Sequence, residues 1–134
     1  DLIVDAYGQT LQDQLDEAGY LELRRREEAV ISQLSCESTI IATGGSAVYG
    51  TTAMAHLAES SVIAYLEVSE AELLRRIDNM ATRGIAKAEG QSFSEMMQER
   101  VALYQHYADV TLCAENPDDV PVILEQVRAL LSQI

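Results

Sequence analysis

Thr39-Ile40-Ile41-Ala42-Thr43-Gly44-Gly45-Ser46-Ala47-Val48 is the stretch that decides how this chain is read. A short apolar run, Ile40 to Ala42, stops at a polar threonine and a pair of glycines. Such a run suits a strand buried on both faces, as in a parallel sheet. Adjacent glycines let the backbone turn sharply and approach a ligand with no Cβ in the way. In an open α/β sheet, ligands sit beyond the carboxyl ends of the strands, where Gly44 and Gly45 would lie. A plain strand-to-helix turn is the alternative, and the rest of the chain decides between the two.

Working outward, the N-terminal side predicts helices. Leu2 to Tyr7 ends at Gly8 as the tail of a helix, and Thr10 can cap a short helix over Leu11 to Glu17 that stops at Gly19. A longer helix is expected from Tyr20 to about Leu34, with Leu23, Val30, Ile31 and Leu34 as its apolar stripe. On it, Glu27 and Glu28 stand one turn beyond Arg24, so a carboxylate can hold that guanidinium; a solvated surface pair is the plainer reading.

On the other side, a helix is expected from Thr51 or Thr52 to Glu59, with Met54, Leu57 and Ala58 inward. A second buried strand, Val62 to Leu66, leads to a helix capped by Ser69, with Glu72 completing a capping-box pattern. Residues 82–91 turn to loop, with glycines at 84 and 90 and the cations Arg83 and Lys87, which suits either a lid or an ordinary surface loop. A helix from Ser92 to Tyr107, a third strand from Val110 to Cys113 and a closing helix from Pro117 complete the order. That alternation predicts an α/β fold: a three-layer α/β/α sandwich with a mostly parallel sheet and right-handed crossovers.

Composition narrows the function. The chain has 134 residues, 48% of them hydrophobic, enough for one domain with a real core and without a membrane-spanning run. Asp and Glu outnumber Lys and Arg 22 to 9, a formal charge of −13, so neither nucleic acid nor an anionic membrane is an expected partner. The few basic residues cluster instead (Arg24–Arg26, then Arg75, Arg76, Arg83, Lys87 and Arg100), which suggests a small anionic ligand. Cys36 and Cys113 lack metal-ligand spacing and point to reduced thiols in a cytoplasmic protein. His56 and His106 have no partner at metal spacing and are expected on helix surfaces, while Met96, Met97, Tyr104 and Tyr107 are expected in the core. Arg25 and Arg26 are expected to face water.

Taken together, these pieces resemble the shikimate kinase family, within the nucleoside-monophosphate-kinase-like group of P-loop kinases. The anchors are Gly19 with Leu23-Arg24 and Glu27, Ala42-Thr43-Gly44-Gly45, and Tyr65-Leu66. Further along come Arg76 and Arg83, Glu99-Arg100 with Leu103-Tyr104, and Ala108-Asp109. The resemblance runs over nearly the whole chain and implies ATP-dependent phosphoryl transfer to a hydroxyl of a small carboxylate metabolite, shikimate first among them. It implies that Arg24 and Arg100 grip the substrate carboxylate, with Glu27 orienting Arg24, and that Gly44 and Gly45 approach the substrate ring through the backbone. Arg83, on a lid over 82–91, would reach the ATP phosphates, and Arg76 would lie against the adenine. A cytoplasmic enzyme, more monomer than oligomer, is expected. Planar guanidinium forks suit both carboxylate and phosphate.

Departures from the family pattern keep the acceptor open. The third glycine is Ser46, Phe-Arg is Leu23-Arg24, and the lid sequence is Arg83-Gly84-Ile85-Ala86. Nor does any Gly-x-x-x-x-Gly-Lys-Ser/Thr occur, the loop on which phosphoryl transfer depends for phosphate and Mg²⁺. In the family that loop, the first strands and an Asp-x-Asp precede the region where this chain starts, so a preceding segment of roughly 30–40 residues is expected. The ligands of Mg²⁺ would then lie mainly ahead of Asp1, with no metal ligand in this chain, and this chain alone would be inactive. Two other readings stay in play: a non-catalytic binding or regulatory domain that kept the acid-binding arginines, and a related kinase for gluconate, a nucleotide or another small acceptor.

Overall fold

The computed structural model describes residues 1–77, 85 and 87–132. Helix α1 spans Leu2–Tyr7, capped by the Asp1 carboxylate and ended by Gly8 in the left-handed region. Helix α2 spans Leu11–Ile31 and opens at Thr10, whose hydroxyl accepts the Asp13 amide. Within α2, Gly19 at φ 79° breaks the helical path, so α2 is two helices across a kink. A side chain would strain that position. The stop expected at Gly19 is this kink, and the stripe beyond it buries Leu23 and Ile31.

After α2 the chain crosses residues 39–46 without regular structure and enters a 3₁₀ turn, Ala47–Tyr49. Helix α3 follows over Thr51–Ser60. Its N-cap is Gly50, which has no side chain to offer, and the Glu28 carboxylate of α2 accepts the Thr52 amide at 2.9 Å instead. This cap reaches across tertiary space and pins the start of α3 to α2.

Strand β1 is Ala64–Glu67, helix α4 is Glu70–Arg76, helix α5 is Phe93–Tyr107 and strand β2 is Val110–Cys113. The strands pair in parallel, Ala64 opposite Val110 through Glu67 opposite Cys113, with α4 and α5 in the crossover between them. A 3₁₀ turn at Pro117–Asp119 leads into helix α6, Val120–Leu131. Parallel strands joined by helices are the α/β organisation expected. The strand limits Val110 to Cys113 agree residue for residue.

Two strand expectations are corrected. Residues 40–42 form no strand, and Ile40 is 89% exposed although Ile41 packs against the core. A strand needs a ladder partner, and the two strands among the described residues pair with each other. Nor is β1 buried on both faces: Ala64, Leu66 and Glu67 are exposed, whereas Tyr65 meets Tyr104 of α5. The capping box expected at Ser69 is half made. The Ser69 hydroxyl accepts the Glu72 amide, but the Ser69 amide and hydroxyl both donate to Glu115, and Glu72 turns to Arg75 and Arg76. The full box is at Ser92 and Glu95.

The core gathers where α2, α3 and the turn before α3 meet: Ile31, Ala47, Val48, Ala53, Met54 and Leu57. Ala53, not the expected Ala58, is the small inward residue of α3. Burying a residue such as Met54 or Leu57 contributes about 1.5–3 kcal/mol, which fixes the turn carrying the glycines against two helices. Among the described residues no helix is long and apolar enough to cross a membrane.

Candidate functional site

The glycine turn sits between α2 and α5, and each element delivers one arginine to it. Arg24 comes from α2, one turn after Tyr20, and Arg100 comes from α5, one turn before Tyr104. Their guanidiniums converge on Tyr49, the last residue of the 3₁₀ turn. The Arg24 Cζ lies 3.4 Å from the centre of the Tyr49 ring and the Arg100 Cζ 5.7 Å from it. Tyr20 gives Arg24 a second ring contact at 5.0 Å. Arg100 is buried and Arg24 half-buried, so both charges are partly withdrawn from water. Stacking engages the flat face of a guanidinium and leaves the orientation of its N–H fork defined.

Glu27 lies beneath this pair, 4% exposed. Burial pushes its carboxyl above the ordinary range, opposed by a hydrogen bond from Ser46 and by the charges of Arg100 and Arg24. The Ser46 hydroxyl donates to Glu27 Oε2 in a short bond. Ser46, the residue that departs from the family's glycine, is thus the group that fixes the buried acid. The other carboxylate one turn past Arg24, Glu28, serves α3 as described above.

Gly44 and Gly45 are exposed on one side and close-packed on the other. A Cβ on Gly44 would stand 2.7 Å from Glu27 Oε1, and one on Gly45 would stand 3.0 Å from both Arg100 Nη1 and the Tyr104 hydroxyl. No side chain fits there without moving a charged group, which gives the glycine pair a steric reason. The Tyr104 hydroxyl donates to the Gly45 carbonyl at 2.7 Å, and the Tyr104 ring packs on Tyr65 with centroids 5.2 Å apart. Tyr104, expected only as core packing, therefore ties the glycine turn to α5 and β1.

Of the residues predicted to act together, the structure brings Arg24, Glu27, Gly44, Gly45 and Arg100 into one corner. Arg76 sits elsewhere, beyond the carboxyl ends of β1 and β2. Its Nε donates to Glu72, and its Nη2 donates to the carbonyls of Ala114 and Glu115 at 3.1 and 2.6 Å. Those bonds hold the guanidinium plane at the strand ends, where an α/β sheet receives ligands. Arg83 lies outside the described residues, as does most of the first half of the 82–91 segment. The root of that segment is knit: Lys87 donates to the Gln91 carbonyl, and the Gln91 side chain bonds the Ala88 amide and Glu99.

The residues sequence reasoning missed are the tyrosines. Tyr20 and Arg24, and Arg100 and Tyr104, are spaced i,i+4, the helical spacing that puts two side chains on one face. Tyr49 had no such signal, since only the fold of the turn aims it. Arg26, expected to face water, instead lies over the Tyr7 ring at 4.8 Å and donates to the buried Gln14. His56 meets the Leu34 carbonyl through Nε2 and links α3 to the chain after α2. Among the described residues, no group of three or more His, Cys, Asp or Glu side chains could hold a metal ion.

Comparison with known proteins gives the family of the chain. The profile of the family described as shikimate kinase matches residues 1–131. A protein named shikimate kinase from Thiobacillus denitrificans is 37% identical over 99 residues, 72% of this chain and 52% of that protein. One named shikimate kinase 2 from Escherichia fergusonii is 24% identical over 131 residues, 93% of this chain and 71% of its own length. A shikimate kinase from Vibrio parahaemolyticus is 28% identical over 121 residues, with 88% of this chain and 70% of that one covered. The chain thus spans about half the length of the first of these relatives (52%) and more of the others. Because the family profile runs from the first helix into the last, the chain belongs to the shikimate kinase family.

Proposed function

We propose that the intact protein is an ATP-dependent kinase that transfers the γ-phosphoryl group to a hydroxyl of a small carboxylate metabolite, with shikimate as the acceptor. The observation that carries this reading is the convergence of Arg24 and Arg100 on one ring beside an exposed glycine pair. In a protein of formal charge −13, two cations held together and partly desolvated suit an anion that replaces their lost water. The bare backbone of Gly44 and Gly45 lets a ring come close. Arg24 and Arg100 would grip the carboxylate, and Glu27 would hold the clamp in place, with Ser46 fixing Glu27. Catalysis of phosphoryl transfer is mostly positioning and charge stabilisation, and a fixed acceptor is the part these residues would supply.

Arg76 would offer its tethered plane to the adenine of ATP, and Arg83 would reach the phosphates. Mg²⁺ is implied by the family, but among the described residues no group of three or more His, Cys, Asp or Glu side chains gathers to hold it. The protein would act as a soluble monomer on small molecules, in the cytoplasm.

The test is ADP release by the intact protein with ATP and Mg²⁺, with and without shikimate and across a small panel of hydroxy acids. Shikimate-dependent turnover is expected, and Arg24→Ala or Arg100→Ala should each lower kcat/KM on the order of 10²-fold. Turnover with a different acid alone would replace the acceptor. Absence of ATP binding would favour a non-catalytic acid-binding domain built on the same corner.

A further inference from the structure

We infer that Tyr49 is the positioning residue of the acid clamp, the surface on which Arg24 and Arg100 are set in a common orientation. This rests on the carboxylate-binding role proposed above. Two guanidiniums from different helices repel each other, and partial burial strengthens that repulsion because less water screens it. The negative face of an aromatic ring attracts both. The 3.4 Å from Arg24 Cζ to the ring centre is full stacking contact, whereas the 5.7 Å from Arg100 is a looser approach to the same ring. One side chain thereby touches both halves of the clamp.

The backbone leaves Tyr49 little choice of direction. Its amide donates to the Ser46 carbonyl at 3.0 Å within the 3₁₀ turn. Ala47 and Val48 before it are buried in the core, and Gly50 after it is pressed on Glu28. The Tyr49 ring packs against the core cluster on one side and meets the arginines on the other. Its hydroxyl is buried without a hydrogen-bond partner, so it is the ring that meets the arginines. Tyr49 works through the arginines and needs no contact with substrate itself. Its ring fixes the plane of Arg24, and that plane decides whether a fork meets a carboxylate with two hydrogen bonds or one.

Shikimate titrations into the intact protein, followed by calorimetry and steady-state kinetics, test the idea. Tyr49→Leu should raise Kd and KM about tenfold with kcat within about twofold, as expected for a lost cation–π platform. Tyr49→Phe, which keeps the ring, should restore both. In an Arg24→Ala background the Leu substitution should cost clearly less than it does alone, because the larger part of its effect passes through Arg24 at 3.4 Å and only the looser contact with Arg100 remains. If Tyr49→Leu does not fold, Tyr49→Met takes its place. Unchanged affinity, or an equal loss in the Arg24→Ala background, would overturn the role. If the unaltered protein binds no shikimate, the acceptor reading fails, and the Arg24 Nε–Hε NMR signal then decides the positioning role. A shift in Tyr49→Leu that is absent in Tyr49→Phe supports it, and an unmoved signal in both rejects it.

Discussion

At the α2–α5 corner, Arg24 and Arg100 lie against the ring of Tyr49 with the buried Glu27 beneath them. At the end of α4, Arg75 and Arg76 share the carboxylate of Glu72 at 2.6 Å each. The same residue types give opposite outcomes. Arg75 and Arg76 draw Glu72 down to about 2 through their hydrogen bonds, in a setting open to solvent. Burial drives Glu27 the other way, against the pull of Ser46, Arg100 and Arg24. An arginine pair satisfied by a surface carboxylate is a local helix feature that salt weakens. A pair set on an aromatic ring above a desolvated acid is held by tertiary packing.

The widest gap between the two corners should appear on truncation. Arg100→Ala removes a buried cation near a buried carboxylate and should lower stability by about 2 kcal/mol besides the loss in kcat/KM on the order of 10²-fold expected from the proposed clamp, whereas Arg75→Ala should leave turnover intact and the melting temperature within about 1–2 °C. Thermal melts and ADP release on both variants check this, and equal losses would erase the distinction. Next in size comes Gly44→Ala. Its Cβ would stand 2.7 Å from Glu27 Oε1, so the Ser46–Glu27 bond must shift, at a cost of about 1–3 kcal/mol and a raised KM for the acid. Ala at the exposed Gly90, where no atom lies within 4 Å, meets only the backbone strain of φ 77° and should spare KM.

The smallest effects are those of pH. Glu27 has a raised pKa in the folded chain, so the folded state holds its proton longer than the unfolded one. Stability therefore falls as pH rises from the ordinary value of 4.5 toward the raised one. Glu27→Gln should remove that fall and gain over the unaltered protein as pH increases. Glu72 is depressed, so its contribution is present above 4.5 and is lost as pH falls toward about 2. Glu72→Gln should lag above pH 4.5 and converge in acid. Melting temperature against pH for the two variants should thus diverge from the parent in opposite senses, and slopes of one sign would contradict the contrast.

Much of this was open to sequence reasoning because its causes are local. Gly8, Thr10, Gly19 and Ser92 punctuate the helices through caps and positive φ, which a single residue type can signal. Val110 to Cys113 is flanked clearly enough for its limits to be read directly. Ile40 to Ala42 misled because an apolar run states a preference for burial and cannot name its partner strand. Ser69 misled because Glu72 had two suitors, and the arginines one turn on outcompeted the serine amide, which Glu115 then took from across the fold.

By itself the sequence determined the alternation of helices and strands, the acidic character of the chain, and the arginines and glycines from which a site could be built. Each depends on residue type and short spacing. Only the tertiary structure decided that Arg24 and Arg100 meet, that Ser46 rather than a helix neighbour bonds Glu27, and that Tyr49 and Tyr104 brace the glycine turn. Those contacts join residues far apart in the chain. They come from packing α2, α3 and α5 around one buried cluster, and no local pattern encodes the angle at which three helices meet.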